Sequence, residues 1–178
     1  SPDCASWRRW FYCCVNPHVL RQFGPEIAKV ETVKFLPWEL RGELPADREA
    51  LWLRTRHEPR FSFDLCDALW QGATVTYVAL QVAFHLGFRE VILVGVDHEF
   101  QSGGQPNGLV EARGPDLNHF RADYFADGAR WQLPDLEQSE TAYRLARQAF
   151  ELEGRYIRYA SAGGRLVGFP RARYSCLF

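Results

Sequence analysis

Three short stretches of this chain hold residue types that could do chemistry. The first is Asp97-His98-Glu99, directly after the apolar run Val91-Ile92-Leu93-Val94-Gly95-Val96. In an open parallel sheet, ligands gather beyond the carboxyl ends of the strands. A carboxylate there can hold a sugar hydroxyl, an amine or a hydrated Mg²⁺; the plain alternative is an Asp that caps the following loop. A polar cluster behind a fully apolar strand favours site membership, with Asp97 catalytic and His98 and Glu99 binding substrate. The second stretch is Gly114-Pro115-Asp116-Leu117-Asn118-His119-Phe120. His119 is a candidate general base, because imidazole titrates near neutral pH, and Asp116 or Asp123 could orient it. The alternative is a surface histidine on a loop. The third is Gln71-Gly72-Ala73-Thr74-Val75-Thr76, at the start of a long helical pattern. Exposed N–H groups and the positive end of the helix dipole suit a phosphate there. Thr74 or Thr76 could instead be only an N-cap and Gly72 only a turn, since no Walker or dinucleotide glycine pattern is present. His98, Glu99, Asp116 and His119 are metal-ligand types, yet no HExxH or comparable spacing supports a transition-metal centre. Ser161-Ala162-Gly163-Gly164 reads as an anion-binding nest or a tight turn.

The elements that would position these residues are legible from periodicity. Val75, Val78, Ala79, Val82, Ala83 and Leu86 fall on one face of a helix, which Gly87 ends as a left-handed C-cap. Val91–Val96 then reads as a strand buried on both faces. Helix, tight turn and doubly buried strand in that order imply a crossover onto a parallel sheet. Upstream, Trp10–Val15 reads as a strand, and Asn16-Pro17 as the N-cap and first position of a helix. That helix is disturbed at Gly24-Pro25 and runs out near Lys29. Thr32–Leu36 reads as a short strand; Pro37–Pro59 is irregular, with Leu51-Trp52-Leu53 a strand inside it. Asp97–Leu136 lacks periodicity and reads as a long functional loop or lid. Ser139 caps the next helix, with Ala142, Leu145, Ala146, Ala149 and Phe150 as its buried stripe and Gly154 as its stop. Tyr156–Ala160 returns as a strand, and Gly163-Gly164 turns the chain toward Phe169-Pro170-Arg171. With no internal repeat, linker or low-complexity tract, residues 1–178 read as one α/β domain with a mostly parallel sheet flanked by helices.

Composition narrows the classes. A chain of 178 residues, 47% hydrophobic, is long enough for one sizeable core. A formal net charge of −1 argues against sequence-independent nucleic-acid binding, which needs a basic stripe. No window holds 18 uninterrupted apolar residues, so no membrane span is expected, and no secretory signal pattern opens the chain. The five cysteines (Cys4, Cys13, Cys14, Cys66 and Cys176) are odd in number and irregular in spacing. They read as buried, reduced thiols of a cytoplasmic protein. There is no methionine, even at position 1, which suggests a piece of a longer chain.

The stretch Gly72-Ala-Thr-Val-Thr, followed by Leu86-Gly-Phe-Arg-Glu-Val-Ile-Leu-Val-Gly-Val-Asp97-His98, resembles the 6-hydroxymethylpterin diphosphokinase MptE-like domain family. That domain also occurs in motility-associated factors linked to flagellin glycosylation. The pattern is similar as well to bacterial family-42 sialyltransferases, in which a glycine-led helix, an LGY-K-E-I-Y-L stretch and G-I-D recur in this order. Asn118-His119-Phe120, Ser139-Glu140-x-x-Tyr143 and Phe169-Pro170-Arg171 also look like bacterial members of this group. The similarity runs from about Phe11 to the C-terminus, and Gly72–His98 is its specific part. It implies a Rossmann-like fold and a nucleotide-activated substrate, with Gly72 and Thr74 near the donor and His119 as base toward the acceptor hydroxyl. The chain departs from the pattern in three places. His98-Glu99 replaces the sialyltransferase tyrosine after G-I-D, and Ala68-Leu69-Trp70-Gln71 holds no arginine before the glycine turn. Nothing in Ser1–Val15 matches the first strand and its N-G-P-S-L-type nucleotide loop, so the Rossmann-like sheet is expected to lack its first strand.

These readings lead to a glycosyltransferase-like domain using a nucleotide-activated, CMP-linked sugar in surface-polysaccharide or glycoprotein synthesis. His119 and Asp97 would be catalytic; Gly72, Thr74, Thr76, His98, Glu99, Asp116 and Asn118 would bind substrate. The alternative is a 6-hydroxymethyl-dihydropterin diphosphokinase, in which Mg²⁺ held by Asp97, Glu99 or Asp116 bridges ATP phosphates. A third reading is a non-catalytic, degenerate Rossmann-like binding module. The expected partner is a small nucleotide-activated substrate, not nucleic acid. A strand edge left open by a missing first strand would favour a homo-oligomer.

Overall fold

Asn16 and Pro17 start the first helix in the way their residue types dictate. The Asn16 side chain accepts from the N–H groups of His18 at 2.9 Å and Val19 at 3.4 Å, and Pro17 takes a position where a missing N–H costs nothing. The computed structural model describes residues 10–96, 98, 105–111, 130–161, 166 and 168–176. The chain divides into two units, Ser1–Thr55 and Arg56–Phe178.

In the first unit, β1 (Phe11–Cys13) leads through α1 (Pro17–Ala28) to β2 (Val33–Pro37), and a 3₁₀ turn (Trp38–Glu43) leads to β3 (Ala50–Leu53). The three strands pair in parallel in the order β1-β2-β3. The helix is disturbed where expected: Phe23, with φ −123° and ψ 15°, breaks helical geometry two residues ahead of Pro25. The first strand is shorter than its apolar run, and Trp10 stands 70% exposed. Leu20, Ile27, Leu36, Leu44 and Cys14 form this unit's apolar cluster. The central strand β2 also buries a charge. Lys34 is 1% exposed, with its Nζ 2.9 Å from Asp47 Oδ2, and it donates to the Thr32 carbonyl at 3.2 Å.

The two-residue strand β4 (Thr55–Arg56) falls at the boundary, and the second unit continues with β5 (Leu69–Trp70), α2 (Val75–His85) and β6 (Glu90–Leu93). After β7 (Leu109–Glu111) and β8 (Arg130–Gln132) come α3 (Leu136–Leu152) and β9 (Tyr156–Tyr159), and a 3₁₀ turn (Tyr174–Cys176) closes it. β6 and β9 pair in parallel, Val91 opposite Ile157 and Leu93 opposite Tyr159. The chain after Phe169 extends the ladder: Tyr159 N–H donates to the Pro170 carbonyl at 2.9 Å, and Ala172 N–H to the Tyr159 carbonyl at 2.8 Å. The α/β class and the parallel pairing are therefore as expected. Among the described residues, no helix is long and apolar enough to cross a membrane.

Both glycine stops act as expected. Gly87 has φ +84°; its N–H donates to the Phe84 carbonyl at 3.0 Å, and Phe88 N–H to the Ala83 carbonyl at 3.0 Å. Gly154 ends α3 with the same pair of bonds, from Gly154 to Glu151 and from Arg155 to Phe150. Each is a Schellman cap, which only a left-handed residue at that position allows.

Four expectations need correction. The buried face of α2 is Tyr77, Val78, Leu80, Gln81, Val82 and Phe84, whereas Val75 and Leu86 are exposed. The helix is apolar around most of its circumference, so periodicity offered two stripes, and the aromatic one packs. The strand expected over Val91–Val96 stops at Leu93; Val91 and Ile92 are only half-buried, and Val94 is 48% exposed. A continuous apolar run does not by itself report cover on both faces. The N-cap of α3 is Asp135, which accepts from Gln138 N–H at 2.9 Å; Ser139 lies one turn inside, its hydroxyl donating to the Asp135 carbonyl at 2.8 Å. Finally, the aperiodic stretch 97–136 holds an antiparallel pair, β7 with β8, and the first residue of α3. Three-residue strands are too short to show a period.

Phe61, Tyr77, Phe84, Phe150 and Tyr159 make an aromatic core against the small face Ala142, Ala146 and Ala149 of α3. The Phe84 and Phe150 rings meet edge-on at 5.2 Å. Burying each large apolar side chain contributes about 1.5–3 kcal/mol. Gln81 is the polar exception, fully buried. Its amide donates to the carbonyls of Trp70 at 2.9 Å and Tyr77 at 3.3 Å, and its oxygen accepts from Ser62 N–H at 3.0 Å. Gln81→Leu keeps the volume but leaves a buried N–H and a buried carbonyl without partners. We expect a loss of about 2–4 kcal/mol in urea unfolding; a loss below about 1 kcal/mol would mean that these groups find other partners.

Candidate functional site

The chain beyond the carboxyl end of β6 meets the second turn of α3, which in turn reaches the N-cap of α2 through Tyr143. Just beyond β6, Gly95 takes φ +72°, and the N–H groups of Gly95 and Val96 donate to the Ser161 hydroxyl at 2.8 and 3.2 Å. This hydroxyl, one residue past Ala160, clamps the two strand ends together. His98 follows with φ +51°, a left-handed conformation that a non-glycine residue adopts only at a cost of order 1–2 kcal/mol. Its side chain is 8% exposed, and its Nε2 lies 3.0 Å from Glu140 Oε1 in the second turn of α3.

Tyr143, one turn further along α3, joins His98 to the start of α2. Its ring meets the His98 ring edge-on at 5.6 Å and also packs on Phe169 at 5.6 Å. Its hydroxyl lies 3.5 Å from Thr74 Oγ1. Burial pushes the Tyr143 phenol up from its usual range; hydrogen bonds from Thr74 and Thr76 pull it partly back, and the Glu140 charge pushes it up again. Tyr143 is thus a neutral hydroxyl at neutral pH.

The turn before α2 is tightly built. Gly72 has φ +60°, and a Cβ on it would lie 2.6 Å from both Ala142 Cβ and Tyr77 Cδ1. Ala73 is left-handed too, at φ +57°. Thr74 is the N-cap, its hydroxyl accepting from Thr76 N–H at 3.3 Å. Of the three described non-glycine residues with positive φ, two are therefore Ala73 and His98, both in this cluster.

The structure brings together four of the residues singled out from the sequence: Gly72, Thr74, Thr76 and His98. Asp97, Glu99, Asp116, Asn118 and His119 lie outside the described residues. Glu140, Tyr143 and Ser161 complete the cluster. They stand in stretches whose motifs were visible, but nothing in spacing tied them to His98. No group of three His, Cys, Asp or Glu side chains able to hold a metal occurs among the described residues. Among the described residues, no thiol is part of the cluster. Burial, and then the neighbouring Cys14, push the Cys13 thiol up to about 12, and burial also raises Cys14. Cys66 is exposed, contrary to the expectation of buried thiols, and its neighbour Asp64 raises its thiol by charge.

Chemically, the cluster offers an imidazole paired with a carboxylate, a Tyr143 ring against it whose hydroxyl meets that of Thr74, and a helix start. Such a set can hold a polar, hydroxyl-bearing ligand and accept a proton from it. In comparisons with known protein families, with curated proteins and with solved structures, nothing matches the chain.

Proposed function

We propose that the chain is a glycosyltransferase-like domain acting on a nucleotide-activated sugar, with a CMP-linked donor the first to test. The observation that carries this reading is the His98–Glu140 pair at 3.0 Å, beyond the carboxyl end of a parallel strand and joined through Tyr143 to the N-cap of α2. Transfer of a sugar to a hydroxyl needs a group that accepts the hydroxyl proton, donors toward the leaving phosphate and hydroxyl-binding side chains. Two imidazoles are candidates for the first task, His98 and His119. The start of α2 supplies the second, and Thr74 and Tyr143 the third. The Rossmann-like topology and a role in surface-polysaccharide or glycoprotein synthesis belong to the same proposal.

Nucleotide release from CMP-linked and other nucleotide sugars, with and without hydroxyl acceptors, tests it. We expect acceptor-dependent release of the nucleotide. Absence of turnover with every nucleotide sugar, together with AMP release from ATP and hydroxymethyl-dihydropterin, would replace the reading with a diphosphokinase. No turnover in either assay would leave a binding module.

A further inference from the structure

We propose that His98 is the group that accepts the proton of the acceptor hydroxyl, through Nδ1, and that Glu140 is its positioning residue. This assignment rests on the transferase reading for its substrate but not for its geometry. Three independent features converge on His98. Its backbone is held at φ +51°, which costs energy and persists only where surrounding contacts impose it. Its side chain is 8% exposed, yet it is polar on two atoms. Its ring is pinned between the Glu140 carboxylate and the edge of Tyr143.

The carboxylate decides which nitrogen is available. Glu140 Oε1 can only accept and lies 3.0 Å from Nε2, so this contact favours the neutral tautomer with its hydrogen on Nε2, which leaves Nδ1 its lone pair. The step then balances. The hydroxyl proton passes to Nδ1, and the oxygen's electron pair forms the new bond to the anomeric carbon. The bond from that carbon to the phosphate oxygen breaks, and the nucleotide leaves with the pair. The imidazolium so formed lies beside the Glu140 carboxylate until the proton passes to water. A His119 base would leave the strain and the carboxylate partner of His98 unexplained.

Two measurements on the full chain test the assignment separately from the reaction. Long-range ¹H–¹⁵N correlation spectra of the imidazoles should show His98 in the Nε2–H tautomer, and Glu140→Ala should convert it to a mixture. A predominant Nδ1–H tautomer in the unsubstituted chain would overturn the proposal whatever the chain catalyses. In acceptor-dependent transfer, His98→Ala should lower kcat about 100-fold or more, with imidazole in the buffer restoring part of it. Glu140→Gln, which keeps an accepting oxygen, should retain more kcat than Glu140→Ala, with KM little changed in both. Full transfer in His98→Ala with loss in His119→Ala would move the base to His119 and leave the transferase reading standing. Absence of transfer in the unsubstituted chain would sink that reading, while the tautomer spectra would still decide the role of Glu140.

Discussion

Asp47→Ala should destabilise the first unit by about 3–5 kcal/mol, the cost of leaving a buried charge without its partner. Lys34 sits in the central strand β2 with 1% of its side chain exposed, and Asp47 is 6% exposed. The two approach to 2.9 Å without the alignment of a hydrogen bond at Asp47 Oδ2, so the attraction is mainly between charges. Asp47 also accepts from Glu49 N–H at 2.9 Å, just before β3. Removing the carboxylate strands an ammonium that only the Thr32 carbonyl then touches, among the contacts described. Replacing both groups is different: the double variant Lys34→Met/Asp47→Leu should recover most of the loss, because an apolar pair of similar volume carries no desolvation cost. Urea unfolding followed by circular dichroism checks both. A loss below about 1 kcal/mol in Asp47→Ala would mean that water reaches Lys34 and that the pair is not a pin of this sheet.

Gly72→Ala should cost about 2–4 kcal/mol, and it should also loosen the site. The added Cβ would stand 2.6 Å from Ala142 Cβ and 2.6 Å from Tyr77 Cδ1, closer than real Cβ atoms come. Overpacking of this kind costs about 1–3 kcal/mol, and the φ of +60° adds about 1 kcal/mol for any L side chain. Neither neighbour moves freely. Tyr77 is fully buried among aromatic rings, and Ala142 is a fully buried residue of α3 whose Cβ moves only with the helix backbone. The clash therefore pushes α2 and α3 apart at the point where Thr74 meets Tyr143. Thermal unfolding measures the first effect. If Gly72→Ala unfolds within about 0.5 kcal/mol of the unsubstituted chain, this close approach is not what holds the turn.

Much of the second unit was legible because local rules governed it. Gly87 and Gly154 stop its helices through their own backbone freedom, and in the first unit Asn16-Pro17 starts a helix through a side chain and a ring. What was not legible depended on contacts distant in the chain. The face of α2 was ambiguous because Val75, Ala79 and Leu86 are as apolar as Tyr77, Leu80 and Phe84; only the ring cluster around Phe61 selects between them. Gln81 could have been found, since a lone amide on an apolar helix needs partners. Lys34 carried a similar signal inside Thr32–Leu36, but Asp47 has no spacing that names it as the partner.

The candidate site divides in the same way. Gly72, Thr74 and Thr76 were visible as a helix start, and His98 as the polar end of an apolar run. Glu140 was not assigned to His98, because the two are far apart in the sequence, with β7 and β8 between them, and only the docking of α3 joins them. Ser161 read as part of an anion-binding nest or a tight turn, whereas its hydroxyl accepts from the Gly95 and Val96 N–H groups and ties the ends of β6 and β9 together. Ala73, left-handed without being glycine, gave no signal at all.

A crystal structure of the chain grown with CMP at saturating concentration tests the central claim most directly. The account expects the nucleotide phosphate at the Gly72–Thr76 turn, with the His98 imidazole and the Tyr143 hydroxyl facing the same bound molecule. Nucleotide bound away from His98 and Gly72, or no nucleotide at all, would contradict it.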